Sequence, residues 1–130
     1  MRTINILVIV DSEGAIASGN LKENTYIVDT NGYVGSWNEG TSSLVTVCQD
    51  GQQLSWGITS INPGNQTDII GFSGPLINSK IAHPIKQGIE GVETWQSKVQ
   101  TRGDIGAYKY TINLSLDGKN MSFDAYIKVV

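Results

Sequence analysis

The stretch that decides the fold is "GAYKYTINLSLDGKNMSFDAYIKVV", residues 106–130. Two runs of alternating apolar and polar residues flank Asp117-Gly118, a dipeptide that adopts the positive φ angles of a two-residue type I′ turn. If Leu116 pairs with Lys119, one face of the resulting hairpin is apolar and the other is mostly polar. On the apolar face this register pairs Leu114 with Met121, Ile112 with Phe123, Tyr110 with Ala125 and Tyr108 with Ile127. Such a hairpin needs a second layer to cover its apolar face.

Several other segments have the composition and spacing of short strands. The predicted strands are Ile4–Val10, Thr25–Asp29, Leu44–Cys48, Leu54–Ile61 and Asp68–Phe72. Segment 92–101 fits a strand, although Val92, Trp95 and Val99 also fit a helical spacing, and Asp50-Gly51 is predicted to turn a second hairpin. These elements predict an all-β protein, a two-layer antiparallel β-sandwich of the jelly-roll or Ig-like kind, and one short helix remains compatible with the pattern.

Length and charge limit the classes of protein and partner. The 130 residues are enough for one domain with its own core, so we expect a single domain over 1–130. The formal charge is −3, from 12 acidic and 9 basic residues, and the basic residues form no cluster. Because nucleic-acid binding needs a row of cations opposite the phosphates, we expect no nucleic-acid partner.

The cysteine and the N-terminal residues indicate the compartment. The single Cys48 alternates with Leu44 and Thr46 on one strand face, so we expect a buried free thiol, and the lack of a cysteine pair fits a reducing compartment. The apolar run near the N-terminus is short and is followed at once by Asp11 and Glu13, which favours a buried strand over a signal peptide. No apolar segment is long enough to span a membrane. We therefore expect a cytoplasmic protein with no membrane partner.

Catalytic motifs are absent from the sequence. The only histidine is His83, in "IAHPIKQG", and no G-x-S-x-G elbow, phosphate loop, dinucleotide fingerprint or Cys/His metal spacing occurs. A hydrolase built around His83 is the enzymatic alternative, and it would lose its activity in His83→Ala. The sequence favours a protein that is not an enzyme and has no cofactor.

Two acidic turns resemble the start of a calcium loop, because each places oxygen-bearing side chains two residues apart before a glycine. Neither completes the EF-hand pattern, since its twelfth position falls on Lys22 in one case and Gly40 in the other. Hydrogen bonding within the turn explains the same residues without an ion, and we favour that interpretation. The candidate calcium ligands are Asp11, Glu13, Asp29 and Asn31.

The loop after Asp29 combines aromatic and polar side chains in "YIVDTNGYVGSWNEGTSSL", residues 26–44. Saccharide sites often place an aromatic ring against the apolar face of a sugar and polar side chains around its hydroxyls. Tyr33 or Trp37 would supply the ring. The candidate ligand-binding residues are Asp29, Asn31, Tyr33, Trp37, Asn38 and Glu39.

Several segments resemble the AidA/PixA inclusion-body family of bacteria, and especially its shorter AidA-type members. They are "INILVIVDSEGA", "YIVDTNGYVGSWNEGTSSLVTVCQDGQQLSWGI", "IIGFSGPLI" and the closing "GAYKYTINLSLDGKNMSFDAYIKVV". The resemblance implies an association with quorum-sensing control and host interaction, or with cytoplasmic inclusion bodies, and it brings no catalytic residues. The inclusion-forming relatives are methionine-rich, whereas this chain has only Met1 and Met121, which argues against a storage role.

Two functions follow from these observations. The first is a non-enzymatic recognition protein that binds a saccharide or another small polar ligand through the loop after Asp29. The alternative is a self-assembling, inclusion-forming or quorum-sensing-regulated accessory protein that acts through a homo-oligomeric interface, as a dimer or a larger assembly.

Overall fold

The computed structural model describes residues 2–30, 44–88 and 93–130, which form two sheets and short helices. In chain order the elements are β1 (Ile4–Val10), α1 (Ser12–Ser18), a 3₁₀ helix (Lys22–Asn24), β2 (Thr25–Asp29), β3 (Val45–Cys48), β4 (Gln53–Ser60), β5 (Thr67–Ser73), α2 (Pro75–Asn78), β6 (Ile85–Gln87), β7 (Thr94–Lys98), β8 (Gly106–Leu116) and β9 (Lys119–Val129). Sheet A has the strand order β2-β1-β4-β7-β6, and sheet B has the order β3-β9-β8-β5. The predicted β-sandwich is therefore confirmed.

The β8–β9 hairpin has the predicted register over its whole length, from Leu116 opposite Lys119 to Gly106 opposite Val129. Asp117 and Gly118 have φ angles of 48° and 85°, as a type I′ turn requires. The face predicted to be apolar is buried against sheet A over most of its length. Turn chemistry and apolar alternation thus determine the centre of sheet B.

The other predicted strands are present, with ends that differ by one residue or none, and the ambiguous segment 92–101 contains β7. The sheets are mixed, however, because β1 pairs in parallel with β4 and β3 pairs in parallel with β9. The chain also changes sheet between consecutive strands, since β3 and β5 belong to sheet B and β4 between them belongs to sheet A. Parallel neighbours need such crossover connections, which local turn signals do not reveal.

The predicted hairpin at Asp50-Gly51 is wrong. The strand before it, β3, belongs to sheet B, and the strand after it, β4, belongs to sheet A, so the chain crosses between the layers. The crossing is attached to the β7–β8 connection, because the Asp50 carboxylate accepts the backbone N–H groups of Thr101 at 2.7 Å and Gly103 at 2.8 Å. Gly51 donates its backbone N–H to the Val99 carbonyl. These bonds replace the hairpin ladder that the dipeptide alone predicts.

The helices are short and lie at strand ends. Asp11 caps α1 by accepting the Gly14 backbone N–H at 3.0 Å, and Gly19 ends α1 in the left-handed conformation. The acidic turn at Asp11 is thus the start of a helix, which the sequence pattern did not locate. Among the residues that the structure describes, no helix is long and apolar enough to cross a membrane.

Four aromatic residues join the two sheets in the core. Trp56 of β4 donates its indole N–H to the Tyr110 hydroxyl of β8 at 3.1 Å, and both residues are almost fully buried. The Phe72 ring of β5 lies 5.0 Å from Trp56 and 5.5 Å from Trp95 of β7, measured between ring centroids. This cluster extends from the core towards one edge of the sandwich, where the candidate site lies.

Candidate functional site

A cleft of about 740 Å³ lies between the second half of β4, the first half of β5 and the loop 61–66 that connects them. The β6–β7 pair supplies its remaining side through Lys86, Glu93 and Trp95. This volume is within the range of about 300–1,000 Å³ that is usual for small-molecule sites. The cleft is therefore large enough for a ligand of one or two sugar rings.

The apolar part of the cleft is the outer end of the aromatic cluster. Trp56 and Ile69 are buried beneath it, and Trp95 is partly exposed to it. The Trp95 indole N–H donates to the Ile69 carbonyl at 3.0 Å, and its ring makes an edge contact with Phe72. These contacts hold Trp95 in one orientation, so the cleft has a fixed aromatic wall.

Charged side chains line the mouth of the cleft. Lys86 forms an ion pair with Glu93 at 2.9 Å, and Asp68 lies on the β5 side. The hydrogen bond to Glu93, with smaller contributions from the charges of Glu93 and Asp68, raises the pKa of Lys86. The mouth thus presents one ammonium and two carboxylate groups to a ligand.

The rim of the cleft is fixed by hydrogen bonds to α1. The fully buried Ser12 hydroxyl lies 3.0 Å from the Ser60 hydroxyl, donates to Asn62 Oδ1 at 3.1 Å and accepts from Asn65 Nδ2 at 2.7 Å. The Glu13 backbone N–H also donates to Asn62 Oδ1, at 2.9 Å. Because α1 holds the loop in place, little conformational entropy is lost at the rim when a ligand binds.

This arrangement is suited to binding a small polar ligand. An indole wall with amide, hydroxyl, carboxylate and ammonium groups can pack against a sugar ring and hydrogen-bond its hydroxyls. Within residues 2–30, 44–88 and 93–130, no three His, Cys, Asp or Glu side chains converge to hold a metal ion.

Asp29, the first residue of the sequence-predicted site, is 7% exposed at the end of β2. Its Oδ2 accepts a hydrogen bond of 2.7 Å from the Thr46 hydroxyl of β3. This bond connects an edge strand of sheet A to an edge strand of sheet B. The loop that follows Asp29 therefore begins at the opposite edge of sheet A from the cleft.

The other predicted ligands of that loop lie outside the described residues: Asn31, Tyr33, Trp37, Asn38 and Glu39. Of the candidate calcium ligands, Asn31 lies outside them as well, and Asp11 is the cap of α1. Asp29 pairs with Ile6, whereas Asp11 follows the last residue of β1. At a rise of 3.3 Å per residue, Asp11 and the position opposite Asp29 are separated by about 16 Å along that strand.

His83 and Cys48 differ in their exposure. His83 is exposed in the connection between α2 and β6, and its backbone N–H donates to the Ser97 hydroxyl at 2.9 Å. Cys48 is a buried free thiol, as predicted. Burial, with a smaller contribution from the Asp50 charge, raises the pKa of Cys48 to about 11, so its thiolate is scarce at neutral pH.

The sequence pattern did not identify the cleft, because its residues come from separate segments. "NPGN", residues 62–65, indicated a turn, and nothing local indicated that its two asparagines bond to Ser12. The contribution of Lys86 and Glu93 depends on β7 lying next to β4, which is a property of the sheet order. Trp95, which is partly exposed, was the one usable signal, but the sequence placed it only on a segment that fits a strand or a helix.

Comparison with known proteins places the chain in a family. Residues 2–122 match the family described as "Domain of unknown function (DUF8788)". No curated protein matches the chain. Among solved structures, the inclusion body protein PixA from Burkholderia cenocepacia has a similar fold, with a TM-score of 0.71 at 16% identity over 99% of this chain and 95% of that one. The chain therefore belongs to the DUF8788 family, and it has the β-sandwich fold of PixA, which confirms the AidA/PixA resemblance at the level of the fold.

Proposed function

We propose that the protein is a non-enzymatic recognition protein that binds a saccharide or a similar small polar ligand in the cleft beside Trp95. The observation that carries this proposal is the partly exposed indole of Trp95, held by the Ile69 carbonyl and facing a polar rim. A pyranose ring presents one apolar face and a rim of hydroxyls, and an indole plane with surrounding polar groups complements both.

The rigidity of the rim adds support. Asn62 and Asn65 are held by Ser12, so the loop is already fixed without a ligand. The exposed Asp68 and the Lys86–Glu93 pair are available at the mouth for hydroxyl groups, since a carboxylate accepts and an ammonium donates. A rigid site of this kind suits binding, where affinity depends on preorganisation.

The test begins with a glycan array, followed by titration of the strongest hit with Trp fluorescence as the signal. The double variant Asp68→Asn/Lys86→Met removes two charges at the mouth, both on exposed side chains, and leaves the buried core intact. We expect its affinity to fall by about tenfold or more, since hydrogen bonds to charged groups contribute most to polar recognition.

The matched control is Lys109→Met/Asp124→Asn, which makes the same chemical changes in an exposed ion pair on sheet B. It should bind as tightly as the wild-type protein. Equal affinity of the cleft variant and this control would exclude the cleft as the binding site, and an array without any hit would overturn the saccharide proposal.

The loop after Asp29 is the second proposed location for the same ligand. Asp29→Ala would be a poor test, because it also breaks the bond to Thr46. The better variant is Trp37→Ala/Glu39→Gln, which changes two of the predicted ligand-binding residues. Weaker binding in this variant, with normal binding in the cleft variant, would place the site in the loop.

Self-association is the second candidate function, and a specific surface favours it. On the outer face of sheet A, Leu7 pairs with Val28 and Ile9 with Tyr26. Leu7 is 38% exposed and Tyr26 is 46% exposed, so these four side chains form an apolar patch on β1 and β2. The protein with the similar structure is an inclusion body protein, which is consistent with assembly. An apolar face on both copies would suit a symmetric dimer.

Sedimentation velocity over a range of concentrations tests the dimer. Leu7→Glu/Tyr26→Glu places two charges in the patch and should shift the protein towards the monomer. Ile105→Glu is the control, since Ile105 is 78% exposed but lies in the connection before β8. A wild-type protein that stays monomeric at every concentration would contradict this candidate.

A further inference from the structure

A second groove, of about 350 Å³, lies on the outer face of sheet A at its β6–β7 side. We call it the basic groove, and the residues that matter to its chemistry are Lys80, His83, Lys98, Gln53, Gln87 and Gln96. It is separate from the cleft beside Trp95, because Trp95 and Gln96 are consecutive in β7 and their side chains point to opposite faces of the sheet.

The strand register places the donors on one face. Gln53 of β4 pairs with Lys98 of β7, and Gln96 of β7 pairs with Ile85 of β6. Paired residues of neighbouring strands share a face, and so do residues two apart in one strand. The outer face of sheet A therefore brings an ammonium group and two amide groups together.

The segment after α2 supplies the other side of the basic groove and is fixed by backbone bonds. Ala82 donates its N–H to the Leu76 carbonyl, His83 donates to the Ser97 hydroxyl, and Gln100 donates to the Ile81 carbonyl. These bonds place Lys80 and His83 beside β7 independently of any ligand.

The charge of the basic groove is unlike that of the whole chain. The chain has 12 acidic and 9 basic residues, yet the described residues that line the groove include two lysines, one histidine and no carboxylate. In the part of the chain that the structure describes, the ion pairs are Lys86 with Glu93 and Lys109 with Asp124. The charges of Lys80 and Lys98 therefore remain available to an anion.

The backbone at Lys80 supports a role for its side chain. Its φ angle of 60° lies in the left-handed region, where glycine is the usual residue at the end of a helix. A lysine at this position bears a small conformational cost, and such costs are common where a side chain has a function.

We propose that the basic groove binds a small molecule through a phosphate or sulfate group. A tetrahedral oxyanion has several acceptor oxygens, and the groove offers ammonium and amide donors from four segments around one concavity. Charge-assisted bonds to lysine supply the affinity, and the glutamine amides of β4, β6 and β7 orient the oxyanion. This proposal stands independently of saccharide binding in the cleft.

The test uses phenyl phosphate, phenyl sulfate and, as the uncharged probe, phenol, each titrated into ¹⁵N-labelled protein. We expect both esters to shift the amide signals of His83, Gln96 and Lys98, and phenol to leave them unchanged. The relative affinity of the two esters identifies whether the natural ligand carries phosphate or sulfate.

Lys80→Gln/Lys98→Gln should weaken binding of the preferred ester by about tenfold, because it removes both charged donors. The control Lys22→Gln/Lys119→Gln changes the net charge equally at two exposed lysines outside the basic groove and should bind as the wild-type protein does. An equal loss in both variants, or equal shifts with phenol, would overturn the proposal. Unchanged dispersion of the NMR spectrum verifies that each variant is folded.

Discussion

Asp29 is a buried acidic residue whose carboxylate accepts a hydrogen bond from the Thr46 hydroxyl. Thr46 is fully buried, and the bond connects β2 of sheet A with β3 of sheet B. The sequence indicated only that an aspartate precedes a loop. Which residue it bonds to depends on the way the two sheets face each other, which no local pattern encodes.

Thr46→Val tests this bond, since valine keeps the shape of threonine and removes the hydroxyl. The buried carboxylate of Asp29 loses a donor, so we expect the free energy of unfolding to fall by about 1–3 kcal/mol. Thr46→Ser keeps the hydroxyl and should retain most of the stability. Urea denaturation of the three proteins measures the difference. Equal losses in both variants would show that packing at Thr46 matters and the hydrogen bond does not.

At the level of elements, the β8–β9 hairpin was predicted completely, because its turn residues and its apolar alternation specify the same register. Asp117 also ties the turn to the cleft loop, since its carboxylate accepts the Gln66 backbone N–H at 2.8 Å and its own N–H donates to the Gln66 carbonyl. The residues of a turn thus predict its conformation, but they do not predict the hydrogen bonds it forms with distant segments.

Two glycine substitutions should have opposite effects on stability. Gly118 has a φ of 85°, and no atom of the described residues lies within 4 Å of an added Cβ. Gly118→Ala should therefore lower the free energy of unfolding by about 1 kcal/mol through backbone strain alone. Gly71 has open space and no positive φ, so Gly71→Ala should be neutral or stabilise by up to about 1 kcal/mol. Thermal unfolding of both variants provides the measurement, and destabilisation by Gly71→Ala would contradict the reasoning.

The Asp50 crossing shows why a dipeptide signal can fail. Asp-Gly permits a tight turn. Here, however, the carboxylate accepts two backbone N–H groups of the β7–β8 connection, and these bonds hold the segment that crosses from sheet B to sheet A. The hydrogen bond from Thr101, with a smaller contribution from Gly103, lowers the pKa of Asp50 below its usual value of 3.8.

The pH dependence of stability follows from that direction. A carboxyl group whose pKa is lower in the folded state stabilises the fold above its unfolded pKa, and the contribution is lost as pH falls through the folded pKa. Asp50→Ala should therefore be less stable than wild type at pH 7, and the difference should shrink below about pH 4. Urea unfolding of both proteins at several pH values measures this gap, and a gap that widens in acid would contradict the prediction.

At the level of the whole molecule, the strands were predictable and their arrangement was not. Apolar alternation identifies β1, β2, β4 and β5, because each must bury one or both faces. The parallel pairing of β1 with β4 brings together residues about 50 positions apart, and that pairing carries β7 and Trp95 to the edge where the cleft forms. The candidate site is therefore a product of sheet order, which explains why the sequence analysis did not locate it.

The hydrogen bond from Trp56 to Tyr110 should be one of the interactions that hold the two sheets together. Tyr110→Phe leaves the Trp56 N–H without its partner in the core, so it should cost about 1–3 kcal/mol of unfolding free energy. In a double-mutant cycle with Trp56→Phe, the second substitution should cost less when the first is present, by about 1 kcal/mol, because the unpaired N–H is gone. Urea denaturation of the four proteins gives the coupling energy. Additive losses would mean that apolar packing alone joins sheet A to sheet B at this point.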